Sequence, residues 1–229
     1  MKAVIMAAGK GTRMSPLTET ILKVLIPING KPFLWYVINN LHQAGITDIC
    51  LIVSYMKEKI AKFLKDYNIK VTLIEQPEPK GTGQAVKLAQ PFTKGEDFIV
   101  LGGDNLWSAN DIKEIASRKQ AISGLKVSNP EKYGVLVAKD DKLAQIHEKP
   151  KEFVGDLINT GLYKFTPRIY DMLVQIRLSP RGEYELTDAL NVLAQQGNIE
   201  VIAIKDYWLD LGTIEDIKKI ENFLNNLGK

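Results

Sequence analysis

The sequence predicts an α/β domain built on a mostly parallel sheet flanked by helices, and three observations carry that prediction. Compact apolar runs alternate with stretches of helical period through the first half. The runs are apolar at successive positions, as in strands buried on both faces, rather than alternating with polar residues. No Gly/Ser or Pro linker divides the chain, and its 45% hydrophobic content is enough to fill a sizeable core.

In chain order, residues 3–7 form the first apolar run, ended by Gly9 and Gly11. Residues 32–44 then place Phe33, Val37, Ile38 and Leu41 at helical spacing before Gly45. The alternation continues with a strand over 49–53, a charged amphipathic helix over 57–65 and a strand over 71–74. A helix over 84–89 and a strand over 98–101 complete this half. Such alternation requires right-handed crossovers and places ligands beyond the strands' carboxyl ends. The second half is richer in strands, at 121–127, 134–138, 143–147 and 157–165, and is expected to extend or flank the same sheet. Helices over 168–174 and 186–195, a strand over 200–204 and an amphipathic helix over 214–227 follow.

Composition excludes several classes. Thirty basic against 27 acidic residues, a net charge of +3, is too balanced for a general polyanion binder, so neither nucleic acid nor membrane is an expected partner. No stretch approaches the roughly 20 apolar residues of a membrane span. The single cysteine, Cys50, rules out an internal disulfide and a cysteine zinc site. It reads as a strand-core residue, and a cytoplasmic location is expected. Self-association through strand-rich edges, as a homo-oligomer, is left open.

The loop after the first run reads Ala8-Gly9-Lys10-Gly11-Thr12-Arg13. Glycine lets a backbone turn tightly and bring N–H groups close to a polyphosphate, although a plain tight turn has the same composition. It is neither a P-loop nor a dinucleotide fingerprint, because Arg13-Met14-Ser15-Pro16 stands where those need Gly-Lys-Ser/Thr or a helix opening on a third glycine. Farther on come Lys23 and the stretch Pro27-Ile28-Asn29-Gly30-Lys31-Pro32. Gln76 precedes Gly81-Thr82-Gly83, Gly102-Gly103-Asp104 ends a strand, and Trp208-Leu209-Asp210-Leu211-Gly212-Thr213 precedes the last helix. An acid just past a strand suits a metal ligand, and equally a turn cap; Gly81-Thr82 also reads as a helix N-cap.

Taken together these segments resemble the nucleotidyltransferases that make nucleotide sugars from sugar 1-phosphates, over nearly the whole chain. One departure is Leu22, where that family carries proline before the lysine. The resemblance implies a Rossmann-like, mostly parallel mixed sheet flanked by helices with a strand-rich sugar-binding second half. It implies one domain over 1–229, divided into a nucleotide-binding half at 1–110 and a sugar-binding half with the closing helix at 111–229. It implies that Arg13 and Lys23 neutralise the triphosphate, that Ala8, Gly9 and Gly11 meet the nucleotide through backbone, and that Gln76, Gly81 and Thr82 contact a pyrimidine. Gly134, Glu148 and Asn159 would bind hexose hydroxyls, Lys149 the sugar phosphate, and Asp104 and Asp210 one Mg2+. The substrates implied are a nucleoside triphosphate, UTP or dTTP, and glucose 1-phosphate or N-acetylglucosamine 1-phosphate. Guanylyl transfer to mannose 1-phosphate, another sugar- or choline-phosphate transfer, and a non-catalytic nucleotide-sugar sensor are the alternatives. The segment 181–188 resembles the family too but is given no catalytic role. Acetyl transfer, which longer relatives perform on a β-helix of hexapeptide repeats, is not expected of these 229 residues.

Overall fold

The computed structural model describes residues 1–197 and 199–227. Its first half runs β1 (Lys2–Met6), α1 (Leu17–Thr20), β2 (Pro27–Ile28), β3 (Lys31–Pro32), α2 (Phe33–Gln43), β4 (Asp48–Val53), α3 (Lys57–Asp66), β5 (Thr72–Glu75), α4 (Thr82–Leu88), α5 (Gln90–Thr93), β6 (Phe98–Gly102), β7 (Asn105–Trp107) and α6 (Ala109–Ser117). The second half continues through β8 (Ala121–Lys126), β9 (Gly134–Lys139), β10 (Lys142–Glu148), β11 (Leu157–Phe165), α7 (Ile169–Leu173), α8 (Leu186–Ala194), β12 (Glu200–Ala203), β13 (Trp208–Asp210) and α9 (Ile214–Leu227).

Nine strands form one sheet in the order β5-β4-β1-β6-β11-β8-β12-β10-β9. The pairs of β1 with β4 and β6, of β4 with β5 and of β12 with β8 are parallel. Only β11 and β10 run against the rest, β11 lying antiparallel between β6 and β8. The second half thus continues the first half's sheet, and β11 is the strand that joins them.

Side chains alternate across this sheet, as the two-residue period of a strand requires. On β1, Ala3 and Ile5 face a core shared with Phe33 and Leu34 of α2, Ile60 of α3 and Ile112 of α6. Val4 between them faces the opposite core with Val86 of α4, Ile169 of α7 and Leu190 of α8. Each fully buried aliphatic side chain contributes about 1.5–3 kcal/mol. Cys50 packs in the second core as expected, and burial pushes its thiol up to about 12, so it is unreactive at neutral pH. Among the described residues no helix is long and apolar enough to cross a membrane.

From β1 the chain moves outward to β4 and β5, then returns to β6 on β1's other side. The connections therefore diverge between the carboxyl ends of β1 and β6, which opens a crevice there. Seven short or isolated elements escape the sequence prediction: α1, β2, β3, α5, helix α6 and the two strands of a separate antiparallel ribbon, β7 with β13.

Candidate active site

The crevice holds a cavity of about 610 Å3. Ala8, Gly9, Gly11 and Arg13 line one side together with Lys23 and Asp104. Gly11 adopts φ +67°, and a Cβ there would stand 2.9 Å from Lys23 Cβ, so glycine allows the loop to fold down on the lysine's stem. The Thr18 hydroxyl fastens the fold by donating to Gly11 O at 2.9 Å. Lys23 lies in a single 3-10 turn, its side chain only 8% exposed, and its Nζ sits 2.6 Å from Asp104 Oδ2. Sequence reasoning placed the lysine and the acid at one site without foreseeing that each is the other's counterion.

Across the cavity stand Gln76, Gly81 and Thr82. Gln76 is 2% exposed, and its Nε2 donates to Gly81 O at 3.2 Å and Gln84 Oε1 at 2.6 Å. Both amide hydrogens are spent, and among the described residues no protein donor meets Oε1. Thr82 does cap a helix, though not its own: its hydroxyl accepts the N–H of Leu186, at the start of α8, at 3.0 Å. Residues 80–83 and Tyr184 pair through Tyr184 N to Lys80 O at 2.7 Å and Gly83 N to Tyr184 O at 2.8 Å. Gly81, at φ +102°, has no room for a side chain, since a Cβ would fall 2.5 Å from Tyr184 O. Gly81→Ala is therefore expected to destabilise the protein by about 2 kcal/mol or more, through strain and clash together. A urea midpoint equal to that of the parent chain would show that this packing does not fix the glycine.

The two acids meet through the ribbon, not along one edge of the main sheet. Asp104 follows β6, Asp210 ends β13 opposite Asn105, and Leu211 N donates to Asp104 O at 3.0 Å. Gly212 clears the space beside Asp210: a Cβ there would lie 3.2 Å from Asp210 Oδ2. Burial and the neighbouring Asp104 push the Asp210 carboxyl up to about 6, against the pull of Lys23 and Arg13. A carboxyl that burial and a neighbouring acid make costly to ionise, in an oxygen-only donor set, suits a hard divalent cation whose remaining ligands are water and phosphate. Downstream, Thr213 forms the expected helix start with Asp216, whose Oδ2 accepts from Thr213 N at 2.8 Å and Thr213 Oγ1 at 2.9 Å.

The residues assigned to sugar also converge. Gly134 pairs with Glu148 across β9 and β10. A Cβ on Gly134 would lie 3.1 Å from Glu148 Oε2 and 3.7 Å from Asn159 Cβ. Asn159 is partly engaged, accepting from Gly161 N at 2.9 Å and donating to Tyr163 OH at 2.8 Å across an irregularity in β11. Lys149 follows Glu148 with φ +45° and ties to Tyr133 O through its N–H at 3.0 Å. Neither Lys149 nor this polar cluster lines the 610 Å3 cavity.

The sequence profile of the nucleotidyl transferase family matches residues 2–226. The chain belongs to the nucleotidyl transferase family. It is 42% identical to a bifunctional GlmU protein of Methanococcus maripaludis over 99% of this chain and 55% of that one. It is 41% identical to a bifunctional sugar-1-phosphate nucleotidylyltransferase/acetyltransferase of Sulfurisphaera tokodaii, over 100% of this chain and 58% of that one. The chain thus spans little more than half the length of these curated relatives. Among solved structures it superposes on a Bacillus anthracis protein assigned as a glucose-1-phosphate thymidylyltransferase, in complex with sucrose. That match has TM-score 0.86 and 27% identity, covering 97% of this chain and 94% of the other. A UDP-glucose pyrophosphorylase shares the fold with TM-score 0.88 at 24% identity, over 98% of each chain.

Within this nucleotidyl transferase, sequence reasoning gave the segment that holds Arg181 no catalytic role and did not link it to Glu148. Arg181 Nη2 stands 2.9 Å from Glu185 Oε1 and 3.5 Å from Glu148 Oε1. Burial raises the Glu148 carboxyl, while Arg181 and Lys149 pull it back toward ionisation. The signal was present as an arginine four residues before a glutamate at a helix start, but nothing local linked it to residue 148.

Proposed function

We propose that this nucleotidyl transferase joins UTP or dTTP to a hexose 1-phosphate, glucose 1-phosphate or N-acetylglucosamine 1-phosphate, releasing pyrophosphate. The observation that carries this is the meeting of Asp104, Asp210 and Lys23 beside a 610 Å3 cavity that Lys23 and Asp104 line. A phosphate oxygen of the sugar attacks the α-phosphorus, the bond from that phosphorus to the bridging oxygen breaks, and pyrophosphate leaves with the electron pair.

Positioning and charge carry most of such a transfer. Ala8, Gly9 and Gly11 bring the backbone against the nucleotide, and Arg13 and Lys23 face its phosphates. Lys149 meets the incoming sugar phosphate. One cation 4 Å from one phosphate charge contributes about 4 kcal/mol at an effective dielectric of 20, before desolvation. Asp104 and Asp210 would hold Mg2+. When bound, that ion supplies positive charge that makes the α-phosphorus more electrophilic.

Base choice follows from Gln76. With both amide hydrogens spent on Gly81 and Gln84, its remaining function is to accept. Uracil and thymine offer an N–H at ring position 3, whereas cytosine offers a lone pair there. Gly81 and Thr82 flank the same pocket wall.

At the other end Gly134 leaves room for Glu148, which accepts from sugar hydroxyls together with Asn159. Glu148→Ala is expected to raise the KM for the sugar phosphate about 5- to 150-fold, the equivalent of 1–3 kcal/mol for a lost buried hydrogen bond, with little change for the nucleotide. Asn159→Ala shifts the same constant and also lowers the melting temperature, because it frees Gly161 N and Tyr163 OH. Equal changes for both substrates would assign these residues to the fold alone. The direct experiment is pyrophosphate release across UTP, dTTP, CTP and GTP with a panel of sugar 1-phosphates. Turnover with UTP or dTTP and a hexose 1-phosphate is expected, and release with no pair would refute the proposal.

A further inference from the structure

Asp111, in the first turn of α6, is 4% exposed yet lines neither end of the site. Ser108-x-x-Asp111 is the pattern of an ordinary helix cap, and Ser108 Oγ does accept from Asp111 N at 2.9 Å. A cap alone does not account for the carboxylate. Its Oδ1 accepts from Lys205 N at 2.8 Å, and its Oδ2 from Asp206 N at 3.2 Å and Tyr207 N at 3.4 Å, as well as from Ser108 Oγ at 2.8 Å. Three consecutive main-chain N–H groups, more than ninety residues away, converge on one buried acid.

Those three residues lead directly into β13, the strand that ends in Asp210. The same corner is held from α2, where Asn40 Nδ2 donates to Trp107 O on β7 at 2.7 Å and to Tyr207 OH at 2.9 Å. Helix α6 is itself anchored, with Ile112 and Ile115 in the core. Burying a carboxylate is unfavourable unless its oxygens are hydrogen-bonded, and here every one of those bonds beyond the cap fixes the approach to β13.

We propose that Asp111 is a positioning residue for the cation site: it fixes β13 against β7 and thereby sets Asp210 relative to Asp104. This rests on reading Asp104 and Asp210 as a ligand pair. Groups that orient metal ligands typically change affinity 10- to 100-fold when altered.

The test is Mn2+ binding to the full chain, with Mn2+ alone as the probe, followed by the electron paramagnetic resonance of the free ion. The parent chain binds one ion and Asp210→Asn abolishes binding. Asp111→Asn weakens it 10- to 100-fold. In the pyrophosphate assay, the Mg2+ concentration for half-maximal rate rises by the same factor, while the KM for sugar phosphate stays within about twofold. Tyr207→Phe removes only the hydroxyl that Asn40 holds, leaves the ring beside Phe223, and gives a smaller weakening. It carries the test if Asp111→Asn does not fold. A lowered melting temperature with parental Mn2+ affinity in both variants would reduce Asp111 to a helix cap and overturn the proposal. Parental affinity in Asp210→Asn would instead remove the ligand pair, and the positioning role with it.

Discussion

Asp210→Asn is expected to lower turnover about 100-fold or more while making the metal-free protein harder to melt. The substitution keeps the shape of the side chain and removes its charge, the loss typical of one electrostatic contact to a transition state. The stability gain follows from the protonation balance. Burial and Asp104 hold the Asp210 carboxyl near 6, whereas an unfolded chain releases that proton near pH 3.9. Between those values the folded protein carries a proton that the unfolded chain has lost, so stability falls as pH rises from about 4 to about 6, and the deficit is complete above 6. In EDTA the variant should match the parent at pH 4 and melt higher at pH 7.5. A deficit of about 1 kcal/mol corresponds to roughly 2–4 °C in a chain of this size. Asp104→Asn should lose turnover alike but not gain stability, because it strands the buried ammonium of Lys23. Near-normal turnover of either variant at limiting Mg2+ would exclude that residue as a ligand. A parental melting curve of Asp210→Asn at pH 7.5 would exclude the repulsion.

Lys23→Met is expected to cut turnover by a factor of about 100 to 1,000 and, unlike Asp210→Asn, to destabilise the metal-free protein. Methionine retains the stem that packs against Gly11, so the charge is the main loss. Without it, Asp104 faces Asp210 with no counterion at 2.6 Å, and removing one partner of a part-buried pair leaves the other charge uncompensated. A divalent cation supplies the missing charge from the other side. The melting temperature should therefore recover with Mg2+ and nucleotide, while turnover does not, because the phosphates still lack the ammonium. Turnover within tenfold of the parent would remove Lys23 from the phosphate site. A melting deficit indifferent to Mg2+ would mean that the pair serves packing alone.

The parallel half of the sheet was legible because β1, β4 and β6 are apolar on both faces and are punctuated by glycine or a charged helix. The segments of β7 and β13 have three residues each, too few to show a period, and their pairing joins positions a hundred residues apart. Helix α6 was announced by Ser108-x-x-Asp111 ahead of Ile112 and Ile115 and was still passed over, since the run lies between two stretches that drew attention as strands. The candidate residues could be singled out by type and place, because Asp104 and Asp210 sit at or just past strand ends and Gly11 and Gly81 lie in loops that follow strands. Their dependence on one another could not: that Lys23 neutralises Asp104, that Thr82 caps α8, and that Arg181 lies between Glu148 and Glu185 are long-range facts that local pattern does not encode.

The pairing of residues 80–83 with Tyr184 makes the loop before α4 and the segment before α8 one continuous wall. Under the proposed function, preference for a base and preference for a sugar would therefore be inherited as a linked pair. A chimera that imports 76–84 from a relative and leaves 179–186 behind sets foreign side chains against a backbone shaped for Gly81 and Gly83, whereas importing both segments together preserves the seam. Retargeting an enzyme built this way proceeds by exchanging the two segments as a unit.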